Sequence, residues 1–144
     1  MRPPSSTLVV DASVLIAAAM GRSAGALLAA ARHAALATTD RAVNEARRRI
    51  SLGLKQPALT LVLEKIVSQL NVAPAISIAS AIGEAEVALK DAVVSRNGST
   101  RDAHLLALAW SVDGDIWSGD RDFAGTGVAS WTTPNLMRAF AQGS

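Results

Sequence analysis

Four acidic side chains stand at the ends of predicted elements, where carboxylates can converge. Asp11 and Asp120 each follow a short strand-like run, and if those strands are neighbours in a parallel sheet, the two carboxylates emerge side by side at one edge. Asp102 is predicted in the first turn of the helix that leads into the second of these strands, and we expect it at the same end of the sheet. Glu45, one turn into an amphipathic helix, can reach the same cavity.

Carboxylates that face one another repel, so such a cluster is costly unless a cation neutralises it. The chain has no cysteine and no paired histidines, which excludes cysteine-ligated zinc and leaves oxygen as the ligand atom. Ligation by oxygen alone selects magnesium or manganese over zinc. These ions activate water and stabilise the leaving oxygen when a phosphodiester is hydrolysed. The acids therefore predict a Mg²⁺ or Mn²⁺ cofactor and phosphodiesterase chemistry.

Composition limits the class of protein. The 144 residues are 50% hydrophobic and 18% charged, which fits one domain spanning residues 1–144 and excludes disorder. A net charge of +2 permits a nucleic-acid partner without requiring one, and the 3% of aromatic residues argue against a base-stacking platform. The sequence has neither the apolar core of a signal peptide nor a stretch long enough to span a bilayer, so we expect a cytoplasmic protein without membrane contact.

Strand-like and helix-like segments alternate along the chain, which predicts an α/β fold with a parallel sheet covered on both faces. The predicted strands are Thr7 to Val10, Leu36 to Thr39, one near Val72, Asp115 to Ser118 and Val128 to Thr132. The predicted helices are Val14 to Met20, Ser23 to Ala35, Arg41 to Ser51, Pro57 to Leu70, Ser77 to Val94, Thr100 to Val112 and one from Pro134 onward. Ser13 and Asp40 are the expected N-caps of the first and third helices.

Four segments, in this order, resemble the PIN domains: VVDASVLI, RAVNEARRR, RDAHLLALAW and WSGDRDF. Each motif is weak alone, but four in the right order and apolar context make a more specific signal. In length the chain is most similar to the small ribonucleases of the VapC type, which are toxins of bacterial toxin–antitoxin pairs. The motifs extend from Val9 to Phe123, and the architecture continues to Phe140.

The resemblance implies a three-layer α/β/α sandwich whose central parallel sheet has four or five strands, with the acids at its carboxyl edge. By motif, the catalytic metal ligands are Asp11, Glu45, Asp102 and Asp120, with Asp122 as a fifth acid. Ser13 matches the small hydroxyl residue that often follows the first acid. Ser118 stands where the family more often has threonine, and its hydroxyl is expected to support Asp120.

Arginines surround these acids in the sequence and provide groups that can hold RNA phosphates. The expected RNA-binding residues are Arg47, Arg48, Arg101 and Arg121. The alternative for the arginines on the predicted third helix is an ordinary solvated face. On that interpretation Glu45 simply pairs with Arg48 or Arg49, three or four residues further on.

Two functions stay open. The first is a metal-dependent endoribonuclease, the toxin of a type II pair, whose cut leaves 5′-phosphate and 3′-hydroxyl ends as the family implies. The second is an inactive PIN-like domain that binds RNA or a protein partner. A phospho-acceptor receiver domain is set aside, because that chemistry needs a lysine at the carboxyl edge and none follows Lys90. The resemblance alone also implies homodimerisation and a small antitoxin that covers the apolar helices near the N-terminus and inserts a basic side chain near the acids.

Overall fold

Five parallel strands form the central sheet in the residues that the computed structural model describes, namely 3–91, 100–119, 123 and 125–143. The strands are β1 (Thr7–Val10), β2 (Ala35–Thr39), β3 (Asn71–Ala73), β4 (Asp115–Trp117) and β5 (Ser130–Trp131). Their order across the sheet is β3-β2-β1-β4-β5. The predicted parallel α/β fold is confirmed, and of the four or five strands expected the described part of the chain forms five.

Helices cover both faces of the sheet. They are α1 (Ala12–Ala19), α2 (Ala24–Ala31), α3 (Asp40–Arg48), α4 (Leu59–Val67), α5 (Ala79–Asp91), α6 (Ala103–Val112) and α7 (Thr133–Gly143). A wide π-type turn, Arg49–Gly53, extends α3, and short 3₁₀ turns, Ala75–Ile78 and Thr100–Asp102, precede α5 and α6. In the described part of the chain no single helix is long and apolar enough to cross a membrane, although α1 and α2 reach that length together across a bend of 118°.

The sheet separates two hydrophobic cores because successive side chains of a strand point to opposite faces. Leu8 and Val10 lie in one core, with apolar residues of α1, α2, α3, α4 and α7. Val9 lies between them in sequence but belongs to the other core, with α5 and α6. All three side chains are fully buried, so β1 is covered on both sides, as its uninterrupted apolar run predicts. The result is the expected three-layer sandwich.

The order of the strands reverses at β1, and this reversal sets up the site. From β1 the chain moves outward through β2 to β3, then returns to place β4 on the other side of β1. Val10 is in register with Trp117, so β1 and β4 end at the same level. The two strands are therefore neighbours, which is the condition on which the predicted convergence of the acids depends. In open parallel sheets, ligands bind in the crevice outside such a reversal point.

Two N-cap predictions were wrong by one or two residues. The N-cap of α1 is Asp11 rather than Ser13, because the chain leaves β1 in an extended conformation at Asp11 and turns helical at once. The N-cap of α3 is Thr39, whose hydroxyl accepts the N–H of Ala42. Asp40 is the first helical residue, and its carboxylate accepts the N–H of Ala75 instead.

Other boundaries differ because tertiary contacts override local pattern. Helix α2 ends at Ala31, since Ala35 already pairs with Thr7 in the sheet. Strand β5 is reduced to two residues from the predicted Val128 to Thr132. Gly114 begins the turn into β4 where only glycine fits, because a Cβ there would lie 2.7 Å from the carbonyl oxygen of Thr7. The predicted end of α5 at Val94 and the Ser99 cap lie outside the described residues.

Candidate functional site

Asp11 is a buried carboxylate held at the carboxyl end of β1. Its side chain is 5% exposed, and its backbone N–H donates to the carbonyl of Trp117, which continues the pairing with β4. As the N-cap of α1, its Oδ1 accepts the N–H of Val14 at 3.1 Å. A negative charge at this position is also favoured by the helix dipole. The backbone therefore fixes the place and direction of this carboxylate.

Two hydroxyl groups complete the support of Asp11. Ser13 donates to Oδ1 at 2.6 Å, and Ser118 donates to Oδ2. Ser13 in turn accepts the N–H of Gly119 at 3.1 Å. Sequence reasoning predicted both hydroxyls as supports and expected Ser118 to support Asp120. The structure shows that Ser118 donates to Asp11, because β1 and β4 end at the same level. Asp120 lies outside the described residues, so its support by Ser118 stays a prediction.

Three of the predicted acids line one small cavity, here called the acidic cavity. Asp11 comes from the end of β1, Glu45 from the middle of α3, and Asp102 from the N-cap position of α6. The cavity has a volume of about 30 Å³, and its other lining residues are Ala12, Ser13, Arg49 and Leu105. A cavity needs about 10–15 Å³ to hold one water, so this space suits a water or a single ion and no organic group. The fold thus places Asp11, Glu45 and Asp102 around one cavity, and their role as metal ligands stays a prediction.

A larger cavity opens beside the first, and we call it the arginine cavity. Its volume is about 370 Å³, and it is lined by Arg41, Asn44, Glu45, Arg48, Arg101, Asp102 and His104. Glu45 and Asp102 line both cavities and form the wall between them. Cationic groups therefore lie directly beside the acidic cavity, where they can attract an anion.

Arg47 does not line either cavity. Its guanidinium makes two hydrogen bonds of 2.7 Å to the carboxylate of Glu64 on α4, and a third of 2.9 Å to Oδ1 of Asn44. The hydrogen bond between the two side chains raises the pKa of Arg47 and lowers the pKa of Glu64. The expectation that Arg47 contacts RNA is not supported by this geometry, because the guanidinium is already engaged by α4.

His104 and Thr39 form a buried polar pair that sequence reasoning missed. The Nδ1 atom of His104 lies 2.6 Å from the hydroxyl oxygen of Thr39, and both residues are buried. Burial, and secondarily the charge of Arg41, lower the pKa of His104 to about 4, while Asp40 opposes the shift. The imidazole is therefore neutral at pH 7. The pair ties α6, which begins directly after Asp102, to the junction between β2 and α3, the helix that carries Glu45.

The residues present fit a hard divalent cation by donor type. Asp11, Glu45 and Asp102 offer only oxygen, and the acidic cavity admits one ion. Within the described residues, however, no group of three histidine, aspartate or glutamate side chains is close enough to hold a metal. The predicted ligands Asp120 and Asp122, and the predicted phosphate contact Arg121, lie outside that part of the chain.

Comparison with known proteins agrees with this fold. The family profile described as "PIN domain" matches residues 9–141. VapC20 of Mycobacterium tuberculosis, described as a sarcin-ricin loop cleaving toxin, is 17% identical with a TM-score of 0.66, covering 85% of this chain and 96% of its own. The VapBC2 structure from Rickettsia felis, bound to a DNA fragment from its promoter, is 13% identical with a TM-score of 0.62, covering 87% and 98%.

A toxin–antitoxin complex from Klebsiella pneumoniae is 21% identical to this chain with a TM-score of 0.59, covering 88% of this chain and 97% of its own. The search of curated proteins found no match. At these identities the solved structures establish the fold alone. The profile covers nearly all of the chain, in agreement with the five-stranded sheet and the order of its strands. The chain therefore belongs to the PIN domain family.

Proposed function

We propose that this chain is a metal-dependent endoribonuclease that hydrolyses RNA phosphodiester bonds. The observation that carries the proposal is the acidic cavity, which Asp11, Glu45 and Asp102 line at the carboxyl edge of the sheet, beside the strand reversal. Membership of the PIN domain family supports it. The arginine cavity next to the acids supplies the positive charge that an RNA backbone needs.

The proposed ligands of the cation are Asp11, Glu45, Asp102 and Asp120, with Asp122 as a fifth acid. A bound Mg²⁺ or Mn²⁺ would polarise the scissile phosphoryl group and supply activated water and stabilisation of the leaving 3′-oxygen. The chain's own contribution is orientation. Hydrogen bonds from Ser13, Val14 and Ser118 hold the Asp11 carboxylate in one direction before any substrate arrives.

The assay that tests this proposal is RNA cleavage by the purified chain with Mn²⁺, with Mg²⁺ and with EDTA. We expect cleavage with either ion, none with EDTA, and loss of cleavage in Asp11→Asn and Asp102→Asn. Asp113→Asn is the matched control, since Asp113 is exposed at the opposite end of the sheet and its left-handed backbone accepts asparagine. Binding of RNA without cleavage under every condition would instead favour the inactive binding domain.

The toxin of a type II pair is the biological setting that we propose for this activity. Structural neighbours described as toxin–antitoxin structures support it. An apolar groove of about 250 Å³ between α2 and α4 is suited to an antitoxin helix, and Leu28 and Val62 on its rim are 64% and 42% exposed. One side of the groove is α2, which belongs to the apolar helices near the N-terminus where the resemblance implies that an antitoxin binds; the other side is α4, from the middle of the chain.

Co-expression with the product of a short reading frame directly upstream tests the antitoxin proposal. We expect the two proteins to copurify and RNA cleavage to stop, while Leu28→Lys abolishes copurification and keeps cleavage. Val87→Lys serves as the control, because Val87 is 59% exposed on α5, on the other face of the sheet. We also propose that the chain is a single domain, forms a homodimer and is located in the cytoplasm.

A further inference from the structure

The arginine cavity contains cations that the protein does not neutralise. Arg41 lies four residues before Glu45 on α3 and Arg48 three residues after it, spacings that allow ion pairs on a helix. In the described part of the chain neither arginine forms an ion pair, whereas Arg47 on the same helix does. Arg41 and Arg48 are therefore available to an anion from outside.

Asn44 lines the same cavity and can donate a hydrogen bond there. Its Oδ1 accepts a hydrogen bond from Arg47, which is itself held by two hydrogen bonds to Glu64. The amide oxygen is thereby occupied, and the NH₂ group remains to donate to a ligand in the cavity that Asn44 lines. Besides Arg101, the cavity thus offers the guanidinium groups of Arg41 and Arg48 and the amide donor of Asn44.

The size and lining of the cavity indicate which part of a nucleic acid enters it. About 370 Å³ lies within the range of roughly 300–1,000 Å³ that small-ligand sites occupy. Among the described residues, His104 is the only one with a ring that lines it, so these residues offer little surface for stacking a base. Arginine and amide donors match phosphate oxygens instead.

We propose that Arg41, Asn44 and Arg48 form a subsite for an RNA phosphate next to the one that is cut. The inference rests on the proposed function, which places the scissile phosphate at the acidic cavity. Because Glu45 and Asp102 form a wall common to both cavities, a strand that presents one phosphate to the acids passes directly over the arginines. The subsite positions the strand and reads no base.

The test measures binding apart from cleavage. A short fluorescent single-stranded RNA is titrated with the full chain in EDTA over a range of salt concentrations, with the RNA checked afterwards for integrity. The key variant is Asn44→Asp, which keeps the oxygen that accepts from Arg47 but replaces the NH₂ donor with a negative oxygen. Asn135→Asp is the matched control, because Asn135 likewise accepts from its helix neighbour Arg138, at 3.2 Å, and lines a different cavity.

We expect Asn44→Asp to weaken RNA binding at low salt, and Asn135→Asp, with the same charge change, to leave it near that of the wild type. Arg48→Gln should lower the slope of log affinity against log salt by about 0.7, the value for one phosphate contact to a single strand. Arg138→Gln should leave the slope unchanged. Equal effects of the two asparagine variants, or no effect of either, would overturn the subsite.

The same titrations separate this inference from the proposed nuclease function. RNA binding that depends on Asn44 and Arg48, in a chain that never cuts RNA with Mn²⁺ or Mg²⁺, would support the subsite and refute the nuclease. Normal cleavage by a chain whose RNA binding does not change when Asn44 or Arg48 is replaced would support the nuclease and refute the subsite. Melting curves in EDTA establish that each variant is folded before its binding is compared.

Discussion

Ser118, the residue that follows β4, donates a hydrogen bond from its hydroxyl to Oδ2 of Asp11, the residue that follows β1. The contact joins two residues that are 107 positions apart, and it exists because β1 and β4 are neighbours that end at the same level. Ser118 is 1% exposed, so water does not replace this donor. The adjacent strand thus sets the direction of the first acid of the proposed site.

Replacing Ser118 with alanine should therefore reduce both stability and activity. Hydrogen bonds to charged groups contribute about 1.5–3 kcal/mol, and we expect a loss in this range in urea unfolding. Loss of a hydrogen bond that orients a metal ligand typically costs about 10- to 100-fold in activity, which RNA cleavage with Mn²⁺ would measure. Ser118→Thr keeps the hydroxyl and should retain most of the activity. If the alanine and threonine variants cut RNA equally well, Ser118 does not orient Asp11.

Divalent ions should raise the melting temperature of the wild-type chain, because they bind only where the acids converge in the folded state. At an ion concentration one hundred times the dissociation constant, the free energy of unfolding should rise by about 2.7 kcal/mol. Asp11→Asn should lose this gain in Mn²⁺. In EDTA it should melt somewhat lower than the wild type, because asparagine keeps the N-cap but replaces the charged oxygen that accepts from Ser118 with an NH₂ group. Asp113→Asn should keep the gain. A melting temperature indifferent to Mn²⁺ in the wild type would contradict the metal site.

The sequence predicted those parts of the fold and site that depend on local pattern. The apolar run of β1 predicts a buried strand, and Asp11, which follows it directly, predicts a carboxylate at the edge of the sheet. The convergence of Asp11, Glu45 and Asp102 follows once the sheet is parallel and its order reverses at β1. The α1 cap was misassigned because serine and aspartate are about equally good N-caps, and only the extended backbone at Asp11 decides between them.

Features that depend on distant pairs were not predictable from one sequence. His104 and Thr39 are 65 residues apart, and Arg47 and Glu64 are 17 apart on different helices. Nothing in either local segment specifies the partner, so Arg47 was expected to face RNA and His104 was given no role. The one available signal was a histidine inside an otherwise apolar helix, which has to find a polar partner once the helix is buried.

His104 should make the stability of the protein depend on pH. Burial lowers its pKa to about 4, so between that value and its ordinary pKa the unfolded chain binds more protons than the folded one. Stability should therefore fall as pH decreases from about 6.5 to about 4, by up to about 3 kcal/mol from this group. Urea unfolding in EDTA across this range measures the slope.

His104→Gln should flatten that slope, because glutamine can still hydrogen-bond to Thr39 but does not titrate. His33→Gln is the control, since the other histidine of the chain is exposed and stacks on Phe140. A slope that survives His104→Gln and disappears with His33→Gln would contradict the assignment.

The pair Arg47–Glu64 should contribute little to stability in spite of its good geometry. Its side chains are 43% and 41% exposed, and exposed ion pairs contribute about 0.2–1 kcal/mol because water and salt screen them. Since the pKa of Glu64 is lowered, this contribution is present at neutral pH and is lost as the pH falls through that lowered value. Glu64→Gln should therefore be slightly less stable than the wild type in urea at neutral pH and low salt.

The difference in the free energy of unfolding should shrink at high salt and at acidic pH. Glu84→Gln, on the exposed face of α5, is the control and should unfold like the wild type. A loss well above 1 kcal/mol that persists in high salt would mean that the pair does more than join α3 to α4, because a screened surface contact cannot supply that much.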